Sequence, residues 1–450
     1  MKKSFGNDGT RPRRYRYVRL RWRVLFAVID FAATALFAAV GAVRRRIAPR
    51  TPPSGRPRDP QVILLVQLDH LGDAIVSTAI LPALRERYPR ASIEVLAGAC
   101  NREVFEAAPQ VDRVHVSRIN RFARGGRLRW LWLPAIFYWG FVLRGRKVDL
   151  GIDVRGEFPL ALLLWLCGAR RRLGWDCGGG GFLLTDSPAL VPDRPEVESR
   201  GALLAELGIR PSGPAAGWRP SFHPGVEARR KATRRWAGLA AEVGGSRVVV
   251  HVGAGTPAKR WPPGHWRELI GRLIVDHATR VALVGVGEDS RIAAHILGNR
   301  RWPAVADWTG RLSVTELAAV IQQADLLVGA DSAPAQLAAA VATPVVVLFS
   351  GTNNPKQWQP CGRQVTVVRH EVDCSPCHCE VCPRADHPCM VRLAPRRVAA
   401  AAAEILCRSP RRVACPRLRG HGGNAAGNQP HAHASVGMPP TIHTSDGQDY

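Results

Sequence analysis

The chain is predicted to be an α/β protein built from two nucleotide-binding-type domains. Three observations predict it. Short apolar runs alternate with segments of helical period, the alternation occurs twice, and a Pro/Gly-rich join separates the two series. At 450 residues the chain exceeds what one typical core serves. A hydrophobic share of 46%, with 43 Gly and 35 Pro, suits a globular protein with many strand-to-helix turns.

Residues 1–58 read as a basic arm. Through residue 60 there are fifteen Lys or Arg against three Asp (Asp8, Asp30 and Asp59), a net of +12 within a formal charge of +27 for the whole chain. Only six of the 63 basic residues are Lys, a compositional habit rather than the mark of a ligand. No motif that reads nucleic acid accompanies the charge, so an anionic membrane surface is the expected partner and nucleic acid is not. Val24 to Val43 is mostly apolar, flanked by Arg19, Arg21 and Arg23 and by Arg44, Arg45 and Arg46. Its length just reaches a bilayer thickness, but Asp30 near the middle makes a span costly. Arg23, Ala27, Asp30, Thr34 and Gly41 share one stripe of a helix. An interfacial helix is the first reading, a helix packed on the protein's own surface the second, and a true span the third. No secretory signal pattern is recognisable.

Pro49 to Pro60 reads as a linker. The first domain, 59–220, opens with a buried strand at Val62 to Gln67, a helix at Ala74 to Tyr88 interrupted by Pro82, and a strand at Ser92 to Leu96, together a βαβ unit. Trp130 to Leu143 holds six aromatic residues. A core helix is its first reading and a surface for a lipid-like acceptor its second. A strand at Asp149 to Val154 and a flexible loop at Gly178 to Gly181 follow. Residues 211–225 form the join. The second domain, 221–407, has strands at Arg247 to His251, Arg280 to Gly285, Leu326 to Gly329 and Pro344 to Phe349. Its helices are Gly264 to Val275, Asp289 to Leu297, one capped by Ser313 and Glu316 that ends near Gln323, and one opening near Pro334. From Arg408 onward the composition predicts a disordered tail, 408–450.

Three motifs sit between a strand end and a helix, the edge where open α/β sheets bind ligands. The first runs from Gln67 to Asp73. Gly72 permits close backbone approach, and Asp73 falls in the first helical turn, a favoured place for Asp whatever its role. On spacing alone Asp69 serves equally well. The second runs from His251 to Pro262, where small residues, the Thr256 hydroxyl, Lys259 and Arg260 suit an anion such as a departing diphosphate. Lys259 is one of the few lysines in a chain that habitually uses Arg. The third runs from Gly329 to Gln336, with Pro334 placed for a first helical turn and Asp331 able to accept ribose hydroxyls or cap the helix.

The segments QLDHLGDAIVSTAILPALRERYP, HVGAGTPAKRWPPGHWREL and LLVGADSAPAQLAAAVATPVVVLFSGTNNPKQW, in this order, resemble the ADP-heptose:lipopolysaccharide heptosyltransferase family, glycosyltransferase family 9, over roughly residues 60–405. The resemblance implies a GT-B fold, two Rossmann-like domains facing across a cleft, with the acceptor on the first and the nucleotide-sugar on the second. It implies inverting transfer of heptose from ADP-heptose to a lipid-linked saccharide of the lipopolysaccharide core, with no cofactor or metal needed for catalysis. Asp73 is then the general base, Lys259 the donor-phosphate contact with Thr256 nearby, and Asp331 and Ser332 hold the donor at a helix start. Together with the basic arm it implies a peripheral location on the cytoplasmic face of the bacterial inner membrane. The family pattern D-[ST]-G-x-x-H is broken here by Ala333 and Gln336. A methyl group stands where diphosphate packs against backbone, and Gln carries no positive charge. A non-catalytic nucleotide-sugar-binding or assembly protein of the same fold is the alternative.

Cys374, Cys377, Cys379, Cys382 and Cys389 form a local cluster of C-x-x-C spacings beside His378. A structural zinc site, a disulfide and free thiols all fit the pattern.

Overall fold

Two wholly parallel sheets organise the chain. The structure, a computed structural model, describes residues 24, 27–35, 59–118, 131–211, 217–239, 245–300 and 302–408. Most of the basic arm and the tail from residue 409 lie outside the described residues. A helical stretch over 27–35 (α1) precedes the first series: β1 Val62–Gln67, α2 Leu71–Ser77, α3 Leu81–Arg87, β2 Ser92–Gly98, α4 Arg102–Glu106, β3 Arg113–Ser117, α5 Trp132–Arg144, β4 Leu150–Asp153, α6 Phe158–Leu166, β5 Arg171–Gly174 and α7 Glu196–Ala205. The second series is α8 Val226–Ala237, β6 Arg247–His251, α9 Pro263–His277, β7 Arg280–Val284, α10 Ser290–Leu297, β8 Val305–Asp307, α11 Val314–Gln322, β9 Leu326–Ala330, α12 Ala333–Ala340, β10 Val345–Phe349, α13 Pro355–Trp358, β11 Val365–Arg369, α14 Pro388–Val391 and α15 Pro395–Leu406.

The first sheet has the order β3-β2-β1-β4-β5 and the second β11-β10-β9-β6-β7-β8. Each therefore reverses direction once, between β1 and β4 and between β6 and β9, and the crevice outside those strand ends is where such sheets take ligands. Ile63 pairs with Leu150 across the first switch point, and His251 with Gly329 across the second. All three motifs begin at these switch-point strands.

Parallel strands covered on both faces read as continuous apolar runs, and β1 shows why. Ile63 and Leu65 pack toward Ala74, Ile80 and Leu84, while Leu64 and Val66 pack on the opposite face toward Ile136, Leu160 and Leu163. The first of these cores continues into the second domain through Leu327, Ala335 and Leu337, because α2 packs on α12 and α4 on α11. Across that junction Glu103 Oε2 accepts hydrogen bonds from Thr315 N at 2.9 Å and Thr315 Oγ1 at 2.8 Å. This places a carboxylate on the first turn of α11. The Ser313–Glu316 capping box forms as expected.

Two local expectations are corrected. The helix over 74–88 is two helices joined by a 3₁₀ turn, Thr78–Ile80, and Pro82 sits in the first turn of α3, where its missing N–H costs nothing. The aromatic helix is not a core helix throughout. Only Ile136, Gly140 and Leu143 of α5 are buried, while Phe137, Tyr138 and Phe141 are exposed. Asp30 faces the protein, its Oδ1 accepting from Gly180 N at 2.8 Å, so α1 is packed on the first domain. Among the described residues no helix is long and apolar enough to cross a membrane.

Candidate functional site

The first strand-end loop delivers Asp73 to the first turn of α2. That turn is clamped by Arg200 of α7, a residue the sequence reading did not single out. Arg200 is almost wholly buried. Its guanidinium donates to Asp73 Oδ1 at 3.1 Å, to the Asp73 carbonyl at 2.8 Å, to Gln67 Oε1 at 3.2 Å and to Ser77 Oγ, and lies 3.5 Å from Glu196 Oε1. The turn after β4 adds a second pair that sequence spacing did not reveal. Arg155 donates to Asp69 Oδ1 at 2.7 Å and to Glu157 Oε1 at 2.7 Å. The turn itself is fixed by Asp153, whose Oδ1 accepts from Arg155 N at 2.9 Å and Gly156 N at 3.1 Å.

Two guanidiniums thus face four carboxyl groups, Asp69, Asp73, Glu157 and Glu196. Burial, added to by the neighbouring Asp73 and Glu157 charges and opposed by Arg155 and Arg200, pushes the Asp69 carboxyl up to about 7. Burial, with the Glu157 charge added, also raises Asp153 to about 7 against its backbone hydrogen bonds. Asp69 and Asp73, equivalent on spacing, therefore differ in surroundings. Asp69 is sealed in beside Arg155, whereas Asp73 keeps part of its side chain open.

The second and third motifs meet at the other switch point. Gly253 lets the loop pass Asp289, since a Cβ there would run into the Asp289 carboxylate. Lys259, on a 3₁₀ turn Pro257–Lys259, donates from Nζ to Asp331 Oδ2 at 2.7 Å and to the Asp331 carbonyl at 3.2 Å. Asn353, from the loop after β10, donates to the same Oδ2 at 2.7 Å. Ser332 Oγ lies 3.1 Å from His251 Nδ1, and burial lowers that imidazole to about 4, so it is neutral at ordinary pH. The Thr256 hydroxyl oxygen is buried with no hydrogen-bond partner among the described residues, a gap that a ligand oxygen or N–H would fill. Gln336 is committed elsewhere, its Nε2 donating to the Trp358 carbonyl at 2.9 Å.

The two halves of the site adjoin. A Cβ on Gly72 would stand 3.6 Å from Ala333 Cα and 3.8 Å from Gln336 Cγ, so the residue beside Asp73 abuts the start of α12. Residues Ala333 and Gln336, the two departures from the family pattern, lie at that junction.

The Cys-rich segment backs this site rather than entering it. Cys374, Cys377, Cys382 and Cys389 line a cavity of about 70 Å³ with Thr352, His387 and Ala258. Cys379 is not among the lining residues, and its Sγ bonds the Cys377 carbonyl at 3.4 Å. All five are free thiols, and among the described residues no three His, Cys, Asp or Glu side chains stand close enough to hold a metal ion. The segment grips the Lys259 turn from behind: Ala258 N donates to the Glu380 carbonyl at 3.0 Å, and the Ala258 carbonyl lies 3.0 Å from His387 Nε2.

Comparison with known proteins gives the same outline. The family model described as glycosyltransferase family 9 (heptosyltransferase) matches residues 140–386. The chain is 27% identical over 301 residues to lipopolysaccharide heptosyltransferase 3 of Escherichia coli, covering 64% of this chain and 83% of the relative. It is 27% identical over 319 residues to lipopolysaccharide heptosyltransferase 2 of Escherichia coli strain K12, covering 68% and 87%. Among solved structures, E. coli ADP-heptose lps heptosyltransferase II matches with a TM-score of 0.62 at 22% identity, over 77% of this chain and 98% of that one. The glycosyl transferase family 9 structure from Veillonella parvula DSM 2008 matches at 0.64 with 20% identity, over 78% and 98%. These neighbours share the arrangement of two parallel-sheet domains, the GT-B fold. With its family match extending over more than half of its length, the chain belongs to glycosyltransferase family 9, the heptosyltransferases.

Proposed function

We propose that this glycosyltransferase moves heptose from ADP-heptose to a hydroxyl of a lipopolysaccharide core acceptor, with inversion, at the cytoplasmic face of the inner membrane. The relatives' names, lipopolysaccharide heptosyltransferases 2 and 3, support the acceptor class. A solved relative, E. coli heptosyltransferase WaaC with ADP, supports the donor nucleotide. The observation that carries the reading is the junction of the two switch points, with the Asp73 turn set against the start of α12.

In this reading Asp73 takes the proton of the acceptor hydroxyl as its oxygen bonds to the anomeric carbon. The bond from that carbon to the diphosphate breaks on the opposite face, and its electron pair leaves with ADP. Lys259, the Thr256 hydroxyl and the Ala333 N–H at the start of α12, where Pro334 has no N–H and the Ala335 amide donates to the Ser332 carbonyl, offset the charge growing on the leaving group. Asp331, Ser332 and Asn353 orient the ribose and phosphates, and the incoming diphosphate shares the Lys259 ammonium now held by Asp331. Arg200 fixes the turn that carries the base.

The Cys-rich segment serves as a brace for the Lys259 turn. Its four cavity-lining thiols, Cys374, Cys377, Cys382 and Cys389, do not stand close enough together to hold a metal ion, and the segment acts through its Ala258 contacts to Glu380 and His387. The transfer itself needs no metal.

The test is ADP release in the presence of ADP-heptose and a heptose-deficient lipopolysaccharide core. Acceptor-dependent release with ADP-heptose, and little with UDP- or GDP-sugars, is the expected outcome. Acceptor-independent release, or a preference for another nucleotide, overturns the donor assignment.

A further inference from the structure

The helix α5 presents a face that no part of the described structure covers. Ile136, Gly140 and Leu143 recur at helical spacing and are buried. Gly140 is pressed so close to α6 that a Cβ there would stand 2.6 Å from Leu166 Cβ. The other side of the same helix carries Leu133, Phe137 and Phe141 at spacings of four, with Tyr138 and Val142 beside them. Phe141 is 80% exposed, Tyr138 61% and Phe137 52%. Trp165 of α6 is exposed as well. A monomeric soluble protein rarely leaves so many large apolar side chains together in water.

A second helix repeats the pattern. Asp30 turns inward to Gly180, and Gly180 lies against Phe158 at the start of α6. Val28 and Phe31 of α1 point outward, Phe31 at 80% exposure. The helix α5 packs on α6, on the face of the first sheet opposite to α2 and α4, which meet the second domain, and α1 touches the Gly180 loop that lies against the start of α6.

Among the described residues, the exposed charged side chains from Arg118 to Val148 are all basic: Arg118, Arg144 and Lys147. Arg144 and Lys147 stand at the end of α5. Aromatic and aliphatic side chains over a cationic rim match the boundary of an anionic bilayer, where rings sit among the headgroups and Arg and Lys meet phosphate.

We propose that the outward faces of α5 and α1 form the surface by which this chain seats on an anionic lipid bilayer, leaving the cleft between the domains free. The inference rests on the membrane location proposed above and is argued from exposure and charge; it does not depend on which sugar or acceptor is used.

The test is co-sedimentation of the full chain with vesicles of phosphatidylethanolamine and phosphatidylglycerol, against vesicles of phosphatidylcholine alone. The wild-type chain should pellet with the anionic vesicles, less so as salt rises, and weakly with the neutral ones. A triple variant, F137E/Y138E/F141E, should lose vesicle partitioning by about tenfold or more, because withdrawing even one of the three rings from the interface forfeits a contribution of that order. Its transfer to a detergent-dispersed acceptor should persist, which separates a failed docking face from a failed transfer reading. Undiminished binding by a triple variant that melts like the wild type would overturn the assignment. So would a wild-type chain that ignores anionic vesicles but forms dimers that the triple variant cannot.

Discussion

Replacing Arg200 with Met is expected to damage both stability and catalysis. The guanidinium is buried, lies 3.1 Å from Asp73 Oδ1 and 3.5 Å from Glu196 Oε1, and also satisfies the Asp73 carbonyl, Gln67 and Ser77. Removing one partner of a buried ion pair leaves an uncompensated charge and costs about 3–5 kcal/mol. That is a large part of the roughly 5–15 kcal/mol that holds a domain together. At about 2–4 °C per kcal/mol for a domain of this size, the melting temperature should fall by about 6–20 °C. Catalysis should suffer separately, because the turn carrying Asp73 loses its anchor to β1 and α7. A displacement of about 1 Å is enough to lower kcat roughly 10²-fold. Arg200→Lys separates the two effects: it restores a cation but not the planar fork, so stability should recover further than kcat. Thermal melts and steady-state transfer assays on both variants make the comparison. An Arg200→Met protein with wild-type melting temperature and kcat would refute the clamp.

The remaining predictions follow from the same geometry. The Asp69 carboxyl is raised to about 7 in the folded chain, above its unfolded value near 3.8, so the folded state holds its proton longer and stability falls as pH rises through that window. Asp69→Asn, which stays neutral, should therefore gain in melting temperature relative to the wild type between about pH 4 and 7; parallel curves would contradict this. Lys259→Ala should cut kcat/KM for the donor by about 10²-fold and weaken ADP binding in calorimetry, and unchanged ADP affinity would remove Lys259 from the donor site. For the Cys-rich brace, Cys377→Ser with Cys382→Ser should lower ADP affinity through the Ala258 contacts, and unchanged ADP affinity would contradict the brace.

Much of the fold was legible because its central strands are unambiguous. VILLVQ, RVVVH and VVVLF are continuous apolar runs bounded by turn residues, as strands buried on both faces must be. The edges were not. RRLG and VAD are too short and too polar to carry a period. The exposed face of α5 is not legible in the sequence for a related reason: aromatic content marks burial only where something exists to bury against, and half of this helix has no partner in the described chain. The donor half of the site could be read from the strand-end loops, since Lys259 and Asp331 each follow a switch-point strand. Arg200 could not. Beside Glu196 it reads as an ordinary surface pair four residues apart, and only the tertiary fold, joining positions 127 residues apart, brings it to Asp73. Arg155 had a fainter signal, a charged turn directly after the buried strand LGID.

The central claim is that the Asp73 carboxylate removes the acceptor proton. Its most direct measurement is single-turnover transfer by Asp73→Asn, a near-isosteric change, alongside ADP-heptose binding by the same protein. The account predicts donor affinity close to wild type and transfer slowed by about 10²–10⁴-fold. Transfer at the wild-type rate by a correctly folded Asp73→Asn protein would contradict it.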